Sequence, residues 1–190
     1  MAADDGPTLT IHSRADLRAW LAANHASAKA TWLALWKKPH PGYLPYEEVV
    51  EELLCWGWID STPRMLDAKC SRLMIAPRNA KSAWSAVNNA HVARARGAMS
   101  PAGEAKVTQA QANGMWDFLN DVDALVDPLD LTEALANTGT ADFWAAQPRT
   151  IRRGTLEWVK MAKSPETRAK RIRDVTDSAA QGLRPSPFRR

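Results

Sequence analysis

Cysteine is nearly missing from this chain of 190 residues: only Cys55 and Cys70 are present, and there is no CxxC pair. Two thiols cannot build a disulfide framework, so both are expected to be reduced and buried, as in a cytosolic protein. No apolar run approaches the roughly 20 residues that a membrane-spanning helix needs. The opening Met1-Ala-Ala-Asp-Asp-Gly-Pro is acidic, lacks a hydrophobic stretch and does not read as a signal peptide. The expected location is the cytoplasm. His12, His25, His40 and His91 are scattered with no pair at ligand spacing, so no metal site is expected. A glycine-rich dinucleotide fingerprint, a P-loop and a GxSxG motif are all absent, which leaves nucleotide binding and serine hydrolysis without positive support. No cofactor is expected.

Phenylalanine and tyrosine are scarce, at three and two, whereas tryptophan occurs nine times. Tryptophan rarely buries completely, because its indole N–H needs a partner. Several of the nine are therefore expected to line a cleft or an interface. Apolar residues at 45% and charged residues at 24% suit a globular domain with a real core. Charge is uneven. Arg149–Arg190 carries 12 Lys/Arg against 4 Asp/Glu, net +8, while the first 148 residues are net −4. A basic end on an acidic body suits an anionic partner, or attraction between the two parts.

Periodicity gives the organisation. Ser13-Arg-Ala-Asp16 resembles a capping box before a helix. Thr31–Lys38 is strand-like with apolar residues on both faces, which places it inside a sheet. Tyr46–Trp56 has helical spacing, with Val49, Val50, Leu53 and Leu54 inward and Glu47, Glu48, Glu51 and Glu52 outward, and Gly57 ends it. Trp58–Leu66 and Cys70–Ala76 read as two strands around a turn. Helices are expected from Ser82 to about Arg96, from Ser100 to Gly114, and near 131–136, 141–146, 150–162 and 165–181. The acidic, Pro128-containing stretch 117–130 reads as a connector. The expectation is α+β: residues 1–120 as a small, mainly antiparallel sheet covered by helices, 121–182 as a helical C-terminal unit, and 183–190 as a disordered tail.

Two segments carry the most chemistry. Leu54-Cys-Trp-Gly-Trp-Ile-Asp60 and Pro77-Arg-Asn-Ala-Lys-Ser-Ala-Trp-Ser85 set aromatics beside charged or hydroxylic residues at element boundaries, as in a pocket with a few polar anchors. Trp58, Asp60, Arg64, Arg78, Lys81, Ser82, Trp84 and Asn88 are the candidate ligand-binding residues. Asp60 and Arg64, four apart on the expected strand, are read as sharing a face. Asp60 would meet a cationic group; Arg78 and Lys81, at a strand-to-helix turn, would meet an anionic one. The bland alternative makes Trp84 core and Asp60–Arg64 an internal pair. Cys55, in an apolar helix end, reads as inert. Catalysis with Asp60 as base would need a second poised group that the sequence does not place. In the last helix, Lys163, Arg168, Lys170 and Arg171 could contact phosphates of a nucleic acid or an anionic surface. They lack interleaved aromatics for base stacking.

Leu54–Asp60, Arg78–Asn88, Met99–Gly103 and Lys163–Ile172 together resemble blocks of the YdeI/OmpD-associated, or bacteriocin-protection, family. The resemblance runs from about Thr31 to Gly182. Trp56 stands where the family often has Phe. The resemblance implies an intracellular bacterial protein with a role in protection against bacteriocins or antimicrobial peptides. It implies no agreed reaction, cofactor or catalytic residue. The combined expectation is a non-enzymatic protein with a Trp-lined cleft for a small molecule or peptide.

Overall fold

The computed structural model describes residues 8–189. Residues 1–7, where no leader is expected, and Arg190 lie outside the described residues. The chain forms two compact units, Met1–Phe118 and Leu119–Arg190.

The first unit carries a four-stranded sheet: β1 (Thr8–Thr10), β2 (Thr31–Trp36), β3 (Trp58–Met65) and β4 (Cys70–Pro77), in the order β1-β2-β4-β3. β2 runs parallel to β1 and antiparallel to β4, and β4 runs antiparallel to β3. The chain is α+β with a mainly antiparallel sheet and a helical C-terminal region. β1 has only three residues, too few for a periodic signal. β2 is interior, and its Leu33 joins Leu73 and Ile75 of β4 in a core with Trp58.

Four helices cover this sheet or one another: α1 (Arg14–Asn24), α2 (Tyr46–Cys55), α3 (Ala86–Arg94) and α4 (Pro101–Ala112). α2 serves two cores. Val49 and Leu53 join Leu17, Leu21 and the sheet, while Val50 and Leu54 join Trp84, Val92, Val107 and Ala110. Burying each such aliphatic side chain contributes about 1.5–3 kcal/mol. A helix with neighbours on several sides has a narrow solvent face, and this corrects the expectation that Glu52 points outward. Glu52 is fully buried and pairs with Nε of Arg14 at 3.0 Å and Nε of Arg18 at 2.8 Å, while the Trp56 indole donates to it at 3.3 Å. Gly57, at φ +71°, ends the helix in the left-handed region where glycine is favoured.

A β-bulge corrects a second expectation. Asp60 pairs with Ile75, but Arg64 pairs with Arg72, so β3 holds one extra residue between Asp60 and Pro63. Directly paired residues share a face, and Ile75 and Arg72 are three apart on β4. Asp60 and Arg64 therefore point to opposite faces. The third correction concerns α3, which is capped by Ser85 and not Ser82: the Ser85 hydroxyl accepts from the Asn88 N–H. Residues 79–84 are held as a loop, because Arg78 donates to the Ala83 carbonyl and the Trp84 N–H to the Met115 carbonyl.

The second unit contains α5 (Asn120–Asp123), α6 (Leu129–Thr138), α7 (Ala141–Ala145), α8 (Arg149–Lys160) and α9 (Pro165–Ala180). The acidic stretch expected as a connector starts this unit and pairs with its basic helices. Asp121 meets Lys160, Asp123 meets Arg153, Asp127 meets Arg152 and Asp130 meets Arg168, at 2.5–3.2 Å. The segment expected to be a disordered tail forms a 3-10 turn at Ser186–Phe188. Asp174 accepts from the Ser186 amide and hydroxyl, and Phe188 lies against Gly154 of α8.

Candidate functional site

The first unit has a groove of about 540 Å³ at one end of the sheet, within the range of about 300–1,000 Å³ usual for small-molecule sites. Leu35 of β2 and Leu73 of β4 line it from the sheet. Trp36, Tyr43 and Leu44 line it from the end of β2 and the loop after it, Tyr46 from the first residue of α2, and Asp60, Ser61 and Pro63 from β3. The lining is thus mainly apolar and aromatic, with Lys37, Lys38 and Asp60 supplying charge, while the Arg72 guanidinium lies over Trp32 on the other face of the sheet.

Trp36 pairs with Cys70, so its side chain turns to the sheet face opposite Leu35 and Leu73 and packs beside Gly42 in the loop that carries Tyr43. The Trp36 indole donates to the Ile11 carbonyl at 3.1 Å, and two imidazoles stack on the ring: His40 at 3.9 Å and His12 at 5.8 Å between centroids. The Gly42 N–H donates to Nδ1 of His40 at 3.0 Å, which leaves the proton of a neutral His40 on Nε2. Nζ of Lys38 lies 5.0 Å from the Tyr43 ring centroid, a cation–π contact. The Tyr46 hydroxyl donates to Asp60. Partial burial, and then this bond to a carboxylate, raise the Tyr46 phenol above its ordinary value, so it stays a donor.

Of the residues chosen from sequence, Asp60 lines this groove; the others lie elsewhere. Trp58 is 1% exposed within the sheet core and donates to the His25 carbonyl at 3.2 Å. Trp84 is also 1% exposed, and the Arg78 guanidinium lies 3.8 Å from its ring centroid. Burial pushes Arg78 down to about 10, with Asp60 opposing. Its Nη2 donates to Ala83, while Nε and Nη1 are buried without a hydrogen-bond acceptor. Arg64, turned away from Asp60 by the bulge, lies 5.3 Å from the Trp32 ring, with Arg72 at 4.4 Å. Lys81 is exposed and Ser82 is half-buried in the 79–84 loop, and Asn88 is half-buried in the first turn of α3. Cys55 is fully buried, and its thiol is pushed up to about 11 by that burial, which suits an unreactive sulfur.

In the second unit Arg168 makes a bidentate pair with Asp130, and Arg171 donates to the Trp158 carbonyl while lying over its ring. Lys163 and Lys170 are exposed. Two of the four cations considered for anion binding are therefore engaged within the unit itself.

Sequence reasoning passed over Trp36, Tyr43 and Tyr46. The signal was present: three aromatics flank Lys37-Lys-Pro-His-Pro-Gly42, a segment that reads locally as a strand break and nothing more. Among the described residues no group of three or more His, Cys, Asp or Glu could hold a metal ion, and no helix is long and apolar enough to cross a membrane.

Residues 9–106 match the family described as a domain of unknown function (DUF8412), and that span is more than half of the chain. The chain belongs to the DUF8412 family. The groove residues, Leu35 to Leu73, lie inside the DUF8412 span. Residues 125–182 match the family described as bacteriocin-protection, YdeI or OmpD-associated, which bears out the resemblance over that segment. Of the four sequence blocks that carried the resemblance, Lys163–Ile172 falls in this second match, and the other three fall in the DUF8412 span. No curated protein and no solved structure matches the chain.

Proposed function

We propose that this chain is a non-catalytic, cytoplasmic binding protein whose DUF8412 unit takes a small molecule or a short peptide segment in the groove between Tyr43, Tyr46 and Asp60. The observation that carries the proposal is the pre-formed aromatic wall. Tyr46 is tied to Asp60, and the loop that carries Tyr43 is braced by Trp36, itself fixed by a backbone acceptor and two stacked imidazoles. A wall already in place loses little freedom when a ligand binds, which favours affinity. Binding is preferred to catalysis because the Asp60 carboxylate is engaged by a phenol whose proton is held tightly. A role in protection against bacteriocins or antimicrobial peptides comes from the match at residues 125–182, and the groove lies outside that match.

Thermal-shift screening of the full chain against a fragment set tests this. A groove ligand at 100 times its dissociation constant should add about 2.7 kcal/mol of stability. Tyr46→Ala and Asp60→Ala should each weaken the same hits. A hit whose affinity and thermal shift are unchanged in both variants places the binding site elsewhere.

A further inference from the structure

Beside the groove lies a second recess of about 330 Å³, lined by Lys37, Lys38, Pro39, His40, Ala68 and Lys69. It shares Lys37 and Lys38 with the groove, so the two hollows have a common basic wall. Among the described residues, three ammonium groups and an imidazole line this recess, and no acidic side chain does. Asp67, in the adjacent turn, directs Oδ1 to the backbone N–H groups of Lys69 and Cys70. The Lys37 ammonium donates to the carbonyls of Asp67 and Ala68, and the Asp67 carboxylate offsets part of the charge of Lys37 and Lys69, so the recess keeps a net positive charge.

We infer that the ligand is an amphipathic anion. Its apolar or aromatic body lies in the groove against Leu35, Leu73, Tyr43 and Tyr46, and its carboxylate or phosphate is held in the recess by Lys37, Lys38 and Lys69. This ligand class rests on the groove being a binding site and adds the charge of the occupant. Charge complementarity selects this occupant: an anion gains up to three charge-assisted contacts, while a cationic peptide laid along the same path would face like charges on the shared wall. The Asp60 carboxylate, which lines the groove but not the recess and is already bonded to Tyr46, does not reverse that balance.

Calorimetric titration of the full chain with 2-naphthoate, 1-naphthyl phosphate, 2-naphthol, 1-naphthylmethylammonium and inorganic phosphate separates the contributions. The two aryl anions are expected to bind at least ten-fold more tightly than naphthol and than inorganic phosphate, and the ammonium analogue more weakly than naphthol. Their relative strength tells carboxylate from phosphate as the preferred head group. Lys69→Gln, in the recess and outside the groove, should reduce the advantage of the anions and leave naphthol affinity unchanged. Naphthol binding as tightly as its anionic analogues overturns the anion assignment while leaving the groove intact. Inorganic phosphate binding as tightly as the aryl phosphate overturns the amphipathic assignment. Failure of all the aryl probes overturns the groove and the ligand class together.

Discussion

The Tyr46 hydroxyl donates to the Asp60 carboxylate, which ties the first residue of α2 to the edge strand β3 in the lining of the groove. Partial burial and this bond raise the phenol's pKa above that of an unfolded tyrosine, about 10. The folded state thus holds the proton more tightly than the unfolded state. The stabilisation is complete below pH about 10 and is lost as pH rises beyond it. Urea unfolding between pH 8 and 11 should show stability falling at the alkaline end, with a shallower fall in Tyr46→Phe. Equal slopes would mean that the bond does not persist in solution.

Glu52 predicts an asymmetry. Its carboxylate is fully buried, whereas the side chains of Arg14 and Arg18 are 34% and 41% exposed. Removing both arginines strands a buried charge, and Arg14→Ala with Arg18→Ala should cost about 3–5 kcal/mol. Glu52→Gln leaves two cations that can turn to water, and should cost less, about 1–2 kcal/mol. Chemical denaturation of the three proteins checks the order. A Glu52→Gln cost equal to or above that of the double arginine variant would contradict it.

Close packing of α4 on the end of α2 predicts a steric effect. A Cβ on Gly103 would sit 2.3 Å from the Cys55 carbonyl oxygen, and backbone cannot yield as a flexible side chain does. Gly103→Ala should therefore destabilise by about 1–3 kcal/mol or more, although alanine is the better helix former. An unchanged melting temperature would show that the two helices are further apart.

The tryptophans divide into two classes with different consequences. Trp58 fills the sheet core, so Trp58→Ala should cost about 3–5 kcal/mol. Trp36 is half-buried and braces the His40–Tyr43 loop that lines the groove, so Trp36→Ala should leave a folded chain, by circular dichroism, with ligand affinity reduced. Loss of fold in both, or loss of binding in neither, would dissolve the distinction.

This division marks where the sequence was legible. The 3.6-residue spacing at Val49, Val50, Leu53 and Leu54 and the two-faced apolar run at Thr31–Trp36 located α2 and β2, because burial writes its period into composition. Nine tryptophans suggested a cleft, but Trp58 satisfies its N–H on a backbone carbonyl 33 residues away, a partner no local pattern reveals. The bulge after Asp60 is equally silent. One inserted residue turns Arg64 to the other face, and nothing in Asp60-Ser-Thr-Pro-Arg64 marks the insertion. Glu52 was misplaced because a helical wheel shows one apolar face, whereas α2 packs on β3 and on α1, α3 and α4. The pairing of Asp121, Asp123, Asp127 and Asp130 with α8 and α9 was half-legible: opposite charges were visible, but not which would meet.

The groove itself is tested most directly by nitrogen–proton NMR of the full chain titrated with 2-naphthoate. The account predicts shifts confined to backbone amides near Lys38, Tyr43, Tyr46 and Asp60, with the indoles of Trp58 and Trp84 unmoved. Shifts centred on Trp58, Trp84 or the α8–α9 helices, with the amides near Tyr43 and Tyr46 unchanged, would contradict it.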